Sequence, residues 1–454
     1  MENVDYNFDE PIAALATPWG QSALAVIRTS GTGCIEKIAG IFSNRENLLR
    51  APGYTLVHGN LFDPQTRESV DELIAAVYRA PRSYTGEDSV ELFAHGSLPG
   101  IQRILEVLFK VGFRQAEPGE FTLRAFLNRK MDLTRAEAVN EIVTAKSYQA
   151  QSMALNRLSG AVESRINRIK GKLIEIMSMI ELQLDYPEDE AESISIDKEE
   201  ILKIGEDIKK LAETYKIGRI FQEGISIAIT GKTNSGKSSL FNLFLKEDRA
   251  IVSEVHGTTR DYIESWVTVK GIPIRLYDTA GLRNTDNFIE MEGIRRTQRI
   301  VENANIVLYL VDGIEGITPE DEHFLISNKN GRCVLIWNKI DIVSDKKVPH
   351  GFIPLSARTG EGLHTLESEI FRRALGEAAI SSSKPVIDSI RQKNLLEKCL
   401  HSLENIIQGI ENNVPLDVAA VDMREALDAL GEITGEVTST DILNSMFSRF
   451  CVGK

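Results

Sequence analysis

Apolar positions along this chain change period three times, and each change predicts a different kind of structure. Between residues 11 and 118 short apolar runs alternate with turn signals. IAALAT, ALAVIRTS, LIAAVYRA and SVELFAH read as strands, and IQRILEVLFKVG near 100–111 as an amphipathic helix. That mixture predicts an α+β domain. From about Glu137 the spacing turns helical, through Ile142, Leu155, Leu158, Val162, Ile166, Ile169, Leu173, Ile176, Ile180 and Leu184. Tyr186-Pro187-Glu188-Asp189-Glu190 breaks the stripe, and a second helical segment runs from near Asp197 to about Ile217.

At Gly224 the pattern changes again. Strand candidates at 225–230, 273–278, 305–312, 333–337 and 352–355 alternate with helical signals until about Leu375, the order of a parallel sheet covered by helices. After SSSKP (381–385) helical spacing returns in Ile390, Leu396, Leu403, Ile407, Leu427, Leu430, Leu443 and Met446. The two helical stretches read as one domain interrupted by a complete α/β domain, since domain termini tend to lie close together at the surface. Three independent domains in a row is the alternative. The predicted fold is α/β + α: an N-terminal α+β domain over 1–118, a helical domain split between 119–221 and 378–454, and an inserted α/β domain over 222–377, of Ras-like P-loop type because GKTNSGKS follows its first strand.

Composition sets limits on this picture. At 454 residues the chain exceeds what one core organises, and its 42% hydrophobic and 26% charged residues are ordinary for globular proteins. The acidic N-terminus MENVDYNFDEPIAALATP supports neither a secretory signal nor a transit peptide, which places the chain in the cytoplasm with no membrane partner. Cys34, Cys333, Cys399 and Cys451 lie far apart with no CxxC pair, so reduced thiols are expected rather than a zinc site or disulfide framework. A net charge of −14 opposes whole-surface binding to nucleic acid; any RNA partner must use a local patch.

The chemistry concentrates in the inserted domain. Gly231-Lys232-Thr233-Asn234-Ser235-Gly236-Lys237-Ser238, with Ser239 following, directly succeeds the apolar run ISIAIT. Its glycines let backbone N–H groups wrap a phosphate chain at a helix start, Lys237 is suited to the β/γ-phosphates and Ser238 to Mg²⁺. Asp278-Thr279-Ala280-Gly281 follows a second strand, where a carboxylate can hold Mg²⁺ through water and a glycine N–H can sense the γ-phosphate. Asn338-Lys339-Ile340-Asp341 ends the strand VLIW and matches a guanine-reading motif, in which an aspartate accepts from two guanine nitrogens that adenine cannot match. Ser356-Ala357-Arg358 fits the accessory base-contacting loop. The segment Ser253-Glu254-Val255-His256-Gly257-Thr258-Thr259 offers Thr259 to Mg²⁺ as a switch. Leu282 follows Gly281 where many small GTPases carry a water-positioning glutamine, and Glu290 is the candidate to orient the attacking water instead.

GKTNSGKSS, HGTTRD, DTAGLR and NKID, with ATPWGQSALAVIRTSG, SYTGEDSVELFAHG, PGEFTLRAFLNRKMDLTRAEAV and the tail FCVGK, resemble the MnmE (TrmE) family of tRNA-modifying GTPases, in the TrmE-Era-Septin-like group, over nearly the whole length. Ser97 and Ala94 depart from a family glycine and a common cysteine. The resemblance implies an N-terminal domain that dimerises and binds 5-formyl-tetrahydrofolate or a related one-carbon folate through Arg28, Glu91, Lys130 and Lys454. It implies K⁺ at Asn234, Ser253, Val255 and Thr258, in place of an arginine finger, with Glu290 orienting water and Arg283 as a switch residue. It further implies a homodimer working with the flavoprotein MnmG in a heterotetramer, reaching tRNA through that complex to build an aminomethyl-type group at C5 of wobble uridine. Two rivals stand beside this reading: a ribosome-assembly or regulatory GTPase switch without modification chemistry, and a stand-alone folate-dependent one-carbon transferase with a vestigial nucleotide domain, against which the intact phosphate-loop and NKID motifs argue. Cys451 has no identifiable base beside it in sequence.

Overall fold

The computed structural model describes residues 8–185, 197–247, 264–278, 299–327, 331–343, 348–376 and 386–454. They group into two compact units, Met1–Val143 with Arg157–Ile204 and Lys398–Lys454, and Thr144–Asn156 with Gly205–Glu397.

The first unit opens with a six-stranded sheet of β1 (Ile12–Leu15), β2 (Ser22–Ser30), β3 (Thr55–Phe62), β4 (Ser69–Tyr78), β5 (Ser89–Gly96) and β6 (Arg114–Gln115), in the order β3-β4-β5-β2-β1-β6. Only the short β1–β6 pair is parallel. The four predicted strand runs are present as β1, β2, β4 and β5; β3, TLVHGNLF, carries too little apolar alternation to announce itself. Helices α1 (Cys34–Ala39), α2 (Arg45–Arg50) and α3 (Leu98–Lys110) complete this layer. α3 begins where the Ser97 hydroxyl accepts from the Gly100 N–H at 3.2 Å, and it buries Ile101, Ile104, Leu105 and Leu108 at i, i+3, i+4 and i+7.

The helical stripe from Ile142 to Leu184 is divided. α4 (Glu120–Leu127) and α5 (Leu133–Thr144) lead into α6 (Tyr148–Leu158) and α7 (Ala161–Asp185), and Gly160, at φ 90°, makes the break before α7. Periodicity cannot see such breaks because the apolar phase resumes after them. α7 buries Val162, Ile166, Ile169, Leu173, Ile176 and Ile180, whereas Leu155 and Leu184 are half exposed. α8 (Lys198–Glu223) belongs to the first unit as far as Ile204 and to the second from Gly205.

The second unit holds β7 (Ile225–Gly231), β8 (Glu264–Val269), β9 (Ile272–Asp278), β10 (Ile306–Asp312), β11 (Cys333–Asn338) and β12 (Phe352–Leu355), ordered β12-β11-β10-β7-β9-β8. The five predicted strands pair in parallel, as expected. The sheet differs from the all-parallel expectation at its edge, where β8 pairs antiparallel with β9 through a two-residue turn at Lys270 (φ 47°) and Gly271 (φ 85°). α9 (Lys237–Glu247), α10 (Pro319–Ser327) and α11 (Leu363–Leu375) accompany the sheet, with Leu240, Phe244, Leu366 and Ile370 in its core. β10 is buried from Ile306 to Val311 without alternation, as a central strand covered on both faces must be.

α12 (Ile390–Glu411), α13 (Leu416–Thr434) and α14 (Thr440–Phe447) return the chain to the first unit. α13 packs along α7 through Ala419, Met423, Ala426, Leu430 and Ile433, the small residues admitting close approach. α14 packs on α4 through Phe447, Leu443, Leu123 and Phe126. The architecture is thus an N-terminal α+β domain, a helical domain and an inserted P-loop α/β domain. No helix among the described residues is long and apolar enough to cross a membrane.

Candidate nucleotide site and a second cationic cluster

Residues expected to read the nucleotide sit at the C-terminal ends of parallel strands, where open α/β sheets place their ligands. β7 runs into the phosphate loop at Gly231 (φ 142°), Asn234 stands at φ 64°, and Gly236 at φ 101° precedes α9. A Cβ at Gly231 would lie 2.3 Å from the Leu310 carbonyl oxygen, and one at Gly236 would lie 2.1 Å from Asn338 Nδ2, so the loop requires both glycines. Lys237 is buried, with Nζ donating to the Lys232 carbonyl across the loop at 2.6 Å. Ser235 is fully buried, and among the described residues its hydroxyl has no hydrogen-bond partner. Asn234, Ser238 and Ser239 are exposed.

The half expected to read the base is built by hydrogen bonds that are largely internal. Asn338, buried, donates from Nδ2 to the Ser235 carbonyl (2.7 Å) and accepts at Oδ1 from the Ala357 N–H (2.9 Å). One amide therefore joins phosphate loop, β11 and the Ser356–Arg358 loop. Lys339 (φ 70°) extends to Asp312 at 2.6 Å, and the Ser356 hydroxyl donates to Asp341 Oδ1 at 2.7 Å. That bond orients the exposed Asp341 carboxylate, whose other oxygen carries no partner among the described residues. The cavity between these groups has a volume of about 420 Å³ and is lined by Gly236, Ser239, Asn338, Lys339, Asp341, Ala357 and Arg358. Asn242, Leu243 and Lys246 also line it. They follow Ser239 at i+3, i+4 and i+7, a helical signal that was available once the phosphate loop fixed the start of α9.

Asp278 closes β9, and its side chain lies outside what the structure describes. Also outside the described residues are Ser253, Glu254, Val255, His256, Gly257, Thr258, Thr259, Thr279, Ala280, Gly281, Arg283 and Glu290.

A second cluster forms in the first unit. Arg28 on β2 and Glu91 on β5 are directly cross-strand, and Arg28 Nε donates to Glu91 Oε1 at 2.8 Å. Arg28 Nη1 donates to the Gly453 carbonyl at 3.1 Å, and its guanidinium lies 5.4 Å from the Tyr84 ring centre and 5.7 Å from that of Phe121. The C-terminal tail is pinned there because the Phe121 N–H donates to Lys454 O (3.2 Å), and a Cβ at Gly453 would strike the Leu15 carbonyl at 2.5 Å. Burial, and then the charge of Arg28, push the Lys454 ammonium below the ordinary lysine range. Burial, and then Glu91, push the Tyr78 hydroxyl up. Lys130 is exposed, and its Nζ donates to Pro81 O at 2.8 Å on the loop that carries Tyr84. Arg28, Glu91 and Lys454 are therefore drawn into one cluster from opposite ends of the chain, with Lys130 at the edge of the neighbouring loop. Tyr78, Tyr84 and Phe121 were not singled out in sequence, since an isolated aromatic there carries no local signal.

The family model for the GTP-binding protein TrmE N-terminus matches residues 11–130, and that for the MnmE helical domain matches residues 133–451. The tRNA modification GTPase MnmE of Carboxydothermus hydrogenoformans is 40% identical over 459 residues, covering 98% of this chain and all of that protein. The chain belongs to the MnmE family of tRNA modification GTPases. Its MnmE relative from Borreliella burgdorferi is 43% identical over 460 residues, covering 98% of each chain. Among solved structures, an Aquifex aeolicus Era is 24% identical with a TM-score of 0.28, over 39% of this chain and 66% of that one.

Proposed function

We propose that this chain is a potassium-stimulated GTPase that acts as a homodimer with an MnmG-type flavoprotein to install an aminomethyl-type group at C5 of wobble uridine in tRNA, in the cytoplasm. The observation that carries this reading is the coexistence on one chain of an NKxD base pocket, ordered by Asn338 and Ser356, with the cluster of Arg28, Glu91 and Lys454. A guanine-nucleotide switch alone has no use for the second site.

In the nucleotide site, Asn338 and Ser356 hold the loops while Asp341 reads the base edge; Lys237 and the phosphate-loop N–H groups neutralise the phosphates. Ser238 and Thr259 are assigned to Mg²⁺. Asn234, Ser253, Val255 and Thr258 are assigned to K⁺, whose charge supplies what an arginine finger supplies elsewhere. Glu290 orients the attacking water and Arg283 supports the closed switch.

The residues of the second cluster fit a one-carbon folate. A lysine ammonium destabilised by burial and by a neighbouring arginine gains from an anionic glutamate tail, and a carboxylate suits a pterin N–H edge. The bound folate supplies the one-carbon unit; Arg28, Lys130 and Lys454 hold its charge and Glu91 its orientation.

The test is GTP hydrolysis in matched K⁺ and Na⁺ buffers for the natural protein and Asn234→Ala. Potassium stimulation lost in the variant is expected. Equal rates in both salts remove the potassium mechanism, and wobble uridine that stays unmodified in a deletion strain complemented by this gene removes the modification role.

A further inference from the structure

α4 ends in a turn whose middle residue, Arg129, stands at φ 56°, the left-handed conformation that favours glycine or asparagine. The turn is firmly held. Asn128 N–H donates to Arg124 O, Arg129 N–H to Phe126 O and Lys130 N–H to Ala125 O, each at 2.9 Å. Two further bonds tie it to the loop before β5: Asn128 Nδ2 donates to Thr85 O and Lys130 Nζ to Pro81 O, both at 2.8 Å. Arg82 is the next residue on that loop. Two arginines are therefore presented by two loops that are locked together.

Both are exposed, and among the described residues neither guanidinium has a partner. Several other cations of the same unit are engaged. Arg79 donates to Leu49 O and Ala51 O, Arg103 pairs with Glu68, Lys110 with Asp63, and Arg114 and Arg124 share the buried Glu120. The loop of Arg82 also supplies Tyr84, which is 36% exposed and whose ring faces the Arg28 guanidinium. The unpaired arginines thus border the Arg28–Glu91–Lys454 cluster.

We propose that Arg82 and Arg129 form a phosphate-binding rim that docks single-stranded RNA, the backbone flanking the target nucleoside, at the mouth of this cluster. The inference rests on the reading that the cluster holds a one-carbon folate and that tRNA is modified. A base that receives a carbon from that cluster brings its flanking phosphates to the surrounding surface, and an acidic chain must meet them with a local cationic patch. Arginine forks suit phosphate oxygens bidentately.

The test is fluorescence anisotropy of a labelled anticodon stem-loop RNA against the full-length protein over a salt series. It compares the natural chain, Arg82→Gln, Arg129→Gly and the double variant. Glycine at 129 suits the left-handed backbone better than arginine, so loss through misfolding is not expected. 5-Formyltetrahydrofolate binding is measured in parallel on the same proteins. The double variant is expected to bind RNA at least tenfold more weakly at low salt and to flatten the log affinity against log salt slope by roughly 1.4, about 0.7 per lost phosphate contact. Its folate affinity is expected to be unchanged. Unchanged RNA binding, or no RNA binding by the natural chain, overturns the proposal. So does a fall in folate affinity with RNA binding intact, which assigns the arginines to the folate tail. A natural chain that binds RNA through these arginines but binds no folate keeps the rim and overturns the reading of the cluster beneath it.

Discussion

Asn338 Nδ2 donates to the Ser235 carbonyl at 2.7 Å in a buried position, and the same amide accepts from Ala357 N–H at 2.9 Å. Asn338→Ala leaves a buried carbonyl and a buried N–H unpaired, each costing about 1–3 kcal/mol. GDP affinity is expected to fall by roughly 10- to 100-fold, the loss of about 1.4–2.7 kcal/mol, with faster hydrogen exchange at the Ala357 amide. Unaltered exchange at Ala357 would show that the loop is held by other means.

Lys146 Nζ lies 3.6 Å from the centre of the Trp266 ring on β8, and a Cβ at Gly271, in the turn beyond, would meet Gln149 Cδ at 2.2 Å. Lys146→Met keeps the apolar stem but removes the charge, and is expected to weaken this contact by about 0.5–2 kcal/mol and to change the Trp266 emission. Gly271→Ala meets both a clash and an unfavourable φ, and is expected to cost more than Lys146→Met. Hydrogen exchange along β8 and β9 reads both; equal protection in all three proteins contradicts the contact.

Lys454 has its pKa lowered by burial and by Arg28, so part of its population is neutral in the alkaline range below the ordinary lysine value of 10.5. An anionic ligand restores the ammonium. Binding of 5-formyltetrahydrofolate in that range should therefore take up protons, seen as a calorimetric heat that varies with the ionisation enthalpy of the buffer. Lys454→Met should abolish the dependence. Proton release by the natural protein would place the ligand charge elsewhere.

Wherever chemistry demands a contiguous motif, the site was legible. Gly231, Gly236, Lys237, Asn338 and Asp341 each follow an apolar strand, and all of these residues stand at one end of one sheet. The edge strand β8, ESWVTV, has period-two, β-branched character, but no motif marks it and its turn lacks the usual Asn-Gly signal. The helical breaks before α6 and α7 escaped for the opposite reason, since an apolar phase persists across a short interruption.

From residue order alone came the succession of element types, the insertion of an α/β domain into a helical one, and the nucleotide chemistry, because periodicity and phosphate loops are local properties of the backbone. Tertiary structure alone decided which distant side chains meet. It set Arg28 against Glu91 by strand register, brought Gly453 and Lys454 to them from the far end of the chain, and turned Arg82 and Arg129 outward on a shared pair of loops. Such meetings depend on pairing across tens to hundreds of residues, and no local pattern records them.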